Sequence, residues 1–201
     1  MRRHRSALVL ALVALAAGAL LRPAPARADA IGAEVIVLST HVMSQRDAPV
    51  ELYRRRLDAR GQNVITPGIK LSYDHDLARP LWKARQIRFT WGELSDSIEH
   101  RFGFVAVLGR WRLWEGERFA WTLQAGAGLI YRKSWRDVPG YLGDNALHQS
   151  DHFLPGYEWA VLPLGDFNLL YRFSLTLQGV WSIFPGFPYV IMQSLGLRWR
   201  F

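Results

Sequence analysis

The chain has 201 residues, half of them hydrophobic, with 25 Lys and Arg against 17 Asp and Glu, and no cysteine. Without cysteine there is no disulfide framework, no thiol catalysis and no cysteine-ligated metal. The formal charge of +8 would fit a nucleic-acid partner, but five basic residues (Arg2, Arg3, Arg5, Arg22, Arg27) and no acidic ones precede Asp29, so the rest carries an excess of only three and no basic recognition motif.

The amino end predicts a secretory signal peptide. Arg2, Arg3 and Arg5 precede an apolar run from Ala7 to Leu21, and Ala26-Arg27-Ala28 is a small-x-small cleavage site. Residues 1–28 are therefore expected to be removed, leaving a single domain over 29–201. A retained membrane helix fits less well, because the apolar run is short and ends in Pro23 and Pro25.

From there the sequence alternates with a period of two, which predicts strands. A first strand is predicted over Glu34 to Met43, with Ile36, Leu38, Thr40 and Val42 on one face and Val35, Val37, Ser39 and His41 on the other. A charged stretch, Ser44 to Gln62, reads as a long polar loop; its Arg54-Arg55-Arg56 run is either a solvated face or a contact for lipid phosphates. The second strand, Asn63 to Asp74, sets Ile65, Pro67, Ile69, Leu71 and Tyr73 outward against Thr66, Lys70, Ser72 and Asp74 inward. The third, Trp82 to Leu94, ends at Ser95-Asp96-Ser97. The fourth, Glu99 to Trp111, is apolar on both faces, and Val105, Val107 and Gly109 are read as walling an apolar lumen.

The fifth strand, around Phe119 to Arg132, alternates clearly, and Gly126 and Gly128 are expected to leave space inside. A Gly- and Asp-rich loop, Lys133 to Pro155, follows. A short sixth strand over Tyr157 to Leu162 is predicted to turn at Pro163-Leu164-Gly165-Asp166 into a seventh, Phe167 to Trp181. The last strand, Tyr189 to Phe201, is apolar on one face and small or charged on the other, with Arg198 and Arg200 at its end. A packed soluble core has no use for that second face, whereas a lumen does; the plainer alternative is an edge strand of a soluble sheet.

The expected fold is thus all-β: an eight-stranded antiparallel transmembrane β-barrel of the bacterial outer membrane, with its long loops after strands one, three, five and seven on the outside. That topology places His41, Asp96 and Ser97 at one rim, where a proton acceptor, a carboxylate and a hydroxyl are the parts acyl transfer uses. Solvated rim residues are the simpler reading of the same positions. His148-Gln149-Ser150 with Glu158 offers a rival His-x-Ser constellation for a lipid A deacylase, and a non-enzymatic small barrel needs only the fold.

His41, the Asp96-Ser97 pair, Leu162-Pro163-Leu164, Pro185-Gly186 and the terminal Trp199-Arg200-Phe201 together resemble the lipid A palmitoyltransferase family. The resemblance implies a monomeric, membrane-embedded enzyme that moves a palmitoyl chain from a phospholipid donor to lipid A without metal or other cofactor and without nucleic acid. It implies His41 as base, Asp96 as its orienting group and Ser97 as nucleophile or carbonyl-polarising group. Lateral access would lie at Pro163 and Pro185, where pairing is weakened. The chain departs from the family in leaving no room, between Asp29 and Ala33, for an interfacial helix.

Overall fold

The computed structural model describes residues 29–41, 50–116, 119–135, 137–141, 157–170, 173–180 and 190–201, with side chains described for all of these except 41, 50, 119, 157–170 and 173–180. The elements are β1 (Ala30–His41), a 3-10 turn (Val50–Leu52), β2 (Asn63–Leu81), β3 (Ala84–Ser95), β4 (Arg101–Glu115), β5 (Phe119–Lys133), β6 (Tyr157–Leu170), β7 (Phe173–Val180) and β8 (Val190–Arg200). All form one antiparallel sheet. Pairing follows chain order from β1 to β8, and β8 returns to β1 along the register Ala30↔Arg200 to His41↔Val190.

The connections differ sharply at the two ends. Between β2 and β3 the chain reverses in a two-residue turn, Trp82–Lys83, both at positive φ (47° and 67°). That is the backbone of a type I′ hairpin, whose twist suits the flanking strands even without the usual Asn-Gly. The long connections (42–62 after β1, 134–156 after β5) lie at the opposite end.

Which face is which is settled by charge. Glu34, Lys70, Asp74, Arg88, Gln86, Arg110, Gln124 and Ser194 are buried on the inner face, while Val35, Ile69, Leu71, Phe89, Val107, Leu129, Leu195, Leu197 and Trp199 are exposed on the outer one. The inner face has two zones. Toward the short-turn end, the Asp74 carboxylate takes Arg88 (Nε at 2.6 Å), Arg110 (2.8 Å) and Arg198 (2.5 Å), while Gln86 Oε1 accepts from Arg110 and Arg198. Glu34 bridges Lys70 (2.9 Å) and accepts from Ser194 Oγ (2.6 Å). Toward the long-loop end these give way to an apolar cluster of Ile36, Leu94, Phe104, Ala106, Leu108, Ile130 and Met192, with Phe102 and Val190 packed against it.

This arrangement corrects several expectations. Val105, Val107 and Gly109 do not wall an interior: Phe104 and Leu108 are fully buried, whereas Val107 is 49 % exposed on the outer face. Both faces of β4 are apolar where the sequence was ambiguous, and Arg110 decides between them, because its guanidinium reaches Asp74 only if even-numbered positions point inward. Gly126 and Gly128 do not leave room either. A Cβ at Gly126 would lie 2.0 Å from the Val107 carbonyl, so this glycine lets two backbones approach closely.

Pro163 makes no turn; it lies within the continuous β6 opposite Ala127, and the chain reverses after Leu170. A proline costs one ladder hydrogen bond, which a 14-residue strand paired on its β5 side absorbs. Strand β2 runs on to Leu81, beyond the expected end at Asp74, since His75 and Asp76 still pair with β3. In β1 the alternation breaks at Val37: Ile36 and Ser39 are both buried, because the register shifts between Ile36 and Leu38 against both neighbours.

Candidate functional site at the long-loop end

A small second core lies at the long-loop end. Tyr53, just after the 3-10 turn, and Trp135, just beyond β5, are buried against each other with ring centroids 6.4 Å apart, and Leu52, Ile98, Val138 and Tyr141 pack around them. Arg132 lies over the Trp135 ring, its guanidinium carbon 4.8 Å from the centroid, a favourable cation–π geometry.

Asp96 ties the β3–β4 turn into this core. Its Oδ1 accepts from the backbone N–H groups of Ile98 (3.1 Å) and His100 (2.7 Å), and its Oδ2 accepts from Trp135 Nε1 (2.7 Å). An aspartate capping its own turn is ordinary Asx chemistry; the bond to an indole 39 residues away joins that turn to the segment just beyond β5. Burial raises the Asp96 carboxyl above its ordinary value, against the opposing pull of Arg132, Trp135 and the two backbone donors. Burial lowers His100, helped by Lys133 and Arg132 and opposed by Asp96.

The proposed catalytic group is not assembled by these contacts. Ser97 is buried beside Asp96, and its carbonyl accepts from Arg54 N–H at 2.8 Å. His41 ends β1 opposite Val190, its side chain outside the described residues. Thr40 pairs with Asn63 on β2 but Leu94 pairs with Gly68, so β1 ends about five residues beyond β3 along their shared neighbour, on the order of 15 Å at ~3.3 Å per residue. The edge of β2 in between is taken by 55–57, through Ile65 N–H to Arg55 O (3.1 Å), Leu57 N–H to Asn63 O (2.8 Å) and the Arg56↔Val64 bridge. Asp96 therefore directs both oxygens to its own turn and Trp135.

Of the remaining candidates, Pro185, His148 and Ser150 lie outside the described residues, and Glu158 sits in β6 opposite Arg132 with its side chain outside them. Among the described residues no cluster of three or more His, Asp or Glu could hold a metal.

A polar group that sequence reading passed over lies on the outer face near the same end. Glu93 pairs with Arg101 across β3 and β4, Tyr131 Oη donates to Glu93 Oε2 (3.2 Å), and Trp91 Nε1 donates to Tyr131 Oη (3.2 Å). The available signal was a glutamate continuing the otherwise apolar face Ile87, Phe89, Trp91. Its partners come from other strands and only the register reveals them.

No family model matches the chain, and no curated protein matches it. Among solved structures, a crystal structure of Ail, the attachment invasion locus protein of Yersinia pestis, aligns at TM-score 0.42 and 14 % identity over 87 % of this chain and 97 % of that one. The N-terminal β-barrel domain of Pseudomonas aeruginosa OprF aligns at TM-score 0.41 and 11 % identity, over 86 % and 99 %. Likenesses of this size assign neither activity nor ligand.

Proposed function

We propose that the chain is a small outer-membrane protein, exported and cleaved after Ala28, whose sheet closes as an eight-stranded barrel and whose work is done at its long-loop end. The observation that carries this reading is the inverted polarity of the sheet: an ion-paired inner face and an aliphatic and aromatic outer one. A soluble fold with that distribution would expose a continuous apolar belt to water, whereas a bilayer requires it. The belt has the right height. From Glu93 to Trp82–Lys83 along β3 is about ten residues, roughly 25 Å for a strand tilted by ~40°, and Trp82, Trp114, Trp121 and Trp199 are exposed toward its lower edge.

Side chains nearly fill an eight-stranded barrel, and here the inner face carries buried ion pairs and a packed Phe104 cluster, so the protein acts as an anchored platform rather than a pore. The expected result is outer-membrane fractionation, a heat-modifiable band on gels and no conductance in planar bilayers. Recovery in the soluble periplasmic fraction would sink the reading.

Acyl transfer from a phospholipid to lipid A by His41, Asp96 and Ser97 is the second reading. It is supported by the motif resemblance and by the apolar inner zone beneath the Asp96–Ser97 turn, and it requires His41 to cross the register gap. The mass of lipid A from cells with and without the protein separates the possibilities. A gained acyl chain, lost in Ser97→Ala and His41→Ala, supports transfer; a lost chain supports the deacylase of His148, Ser150 and Glu158; an unchanged mass supports the platform.

A further inference from the structure

The outer face changes chemistry abruptly over one step of the ladder. Leu71, Trp91, Val105 and Leu129 are neighbours in register, and so, one row nearer the loops, are Ile69, Glu93, Gly103 and Tyr131. The first row is apolar; the second contains a carboxylate on the face turned to lipid. Gly103 makes the second row possible, since a Cβ there would lie 2.1 Å from the Tyr131 ring. Tyr131 lies across this vacancy and holds Glu93, which also pairs with Arg101 from the next row up.

Beside this cluster is a groove of about 360 Å³ between β2 and β3. It is lined by Pro67, Ile69 and Trp91 together with Glu93, Glu99 and Arg101. Pro67 has no N–H for the ladder, and the β2–β3 pairing begins only at Gly68↔Leu94, so the two strands part here. A second ion pair, Arg55 Nη2 to Glu99 Oε1 at 3.1 Å, borders the same groove. Both signs of charge thus stand beside apolar side chains. Side chains of Glu93 and Arg101 remain a quarter and two-fifths exposed, accessible to a ligand from the membrane side.

We infer that this groove binds a zwitterionic phospholipid, resting on the barrel reading above. Arg101 meets the phosphate, Glu93 and Glu99 meet the ammonium of an ethanolamine headgroup, and one acyl chain lies along Pro67, Ile69 and Trp91. Charge complementarity selects the class: a purely anionic headgroup would face two carboxylates, and a purely cationic one two guanidiniums.

The test is native mass spectrometry of the full-length processed protein, released from nanodiscs containing equal amounts of phosphatidylethanolamine, phosphatidylglycerol and lipid A. One phosphatidylethanolamine should be retained at least fivefold over phosphatidylglycerol. Glu93→Gln, which keeps shape, should remove or reverse that preference, and Arg101→Gln should reduce retention of both phospholipids. Tyr131→Phe, which loses only the hydroxyl that positions Glu93, should narrow the preference without abolishing binding. Equal retention of the two phospholipids by the native protein, a preference for phosphatidylglycerol or lipid A, or a preference unchanged in Glu93→Gln overturns the proposal while leaving the barrel intact. Failure of the protein to enter the nanodiscs would overturn the barrel reading, and the groove assignment with it.

Discussion

Near the short-turn end the interior is held by charge: three guanidiniums converge on Asp74, and Lys70 is bound by Glu34. Toward the loops the same strands present Ile36, Phe104, Leu108 and Met192, and the interior is held chiefly by apolar contact. The zones differ in how they fail. An apolar cluster loses stability in proportion to the atoms removed, because its neighbours relax partly into the gap. An ionic cluster fails all at once when a hub is taken, since the remaining charges keep their burial and lose their partner.

The largest effect should therefore come from the hub. Asp74→Asn preserves size but leaves Arg88, Arg110 and Arg198 around a neutral amide, and should cost at least about 3–5 kcal/mol in urea-induced unfolding from detergent micelles. A loss below 1 kcal/mol would mean that the charges find other partners and would erase the contrast. Phe104→Ala should cost about 3–5 kcal/mol and Phe104→Leu much less, a graded response that Asp74 variants should lack.

Asp96→Asn ranks next, at about 1–3 kcal/mol, because the amide NH2 has no lone pair to offer the backbone N–H groups or the Trp135 indole, whereas a carboxyl keeps two oxygen acceptors in either protonation state. Its pH dependence has a definite sign. The folded state raises this carboxyl above 3.8, so its contribution is fully present below that pH and is lost as pH rises through the raised value. The penalty of Asp96→Asn should accordingly be greatest in acid and shrink toward neutrality. His100 acts in the opposite sense: lowered from 6.5, it contributes fully above that pH and loses the contribution as pH falls through its lowered value. The smallest effect is expected at the exposed Arg112–Glu115 pair, where Glu115→Gln should change stability by less than about 1 kcal/mol.

Alternation in β2, β5 and β8 was enough to read the sheet and its inward face from sequence, because the inward face of each carries polar or charged residues. In β4 both faces are apolar, so periodicity could not say which side Val107 or Leu108 takes; that depends on where Arg110 finds Asp74, 36 residues away. Pro163 misled for a related reason, since a proline signals a break only when the strand has no other partner. The candidate rim was legible as a set of polar residues at one end. Its wiring was not: that Asp96 reaches Trp135 depends on how far β5 extends, and the gap between His41 and Asp96 depends on a register that no local pattern encodes.

The irregularity at Val37 has a consequence for how this chain can change length. From Ile36 to Ser39, three steps along β1 are matched by four along β2 (Gly68 to Val64) and by two along β8 (Ser194 to Met192). Within a regularly paired stretch, inserting or deleting one residue would turn every later side chain to the wrong face. Here the strand already carries two consecutive outward positions, so losing Val37 would restore a regular in-and-out order and leave Ser39 facing Thr66. The bulge marks the point in β1 where the gene can drop a codon without scrambling the rest of the strand.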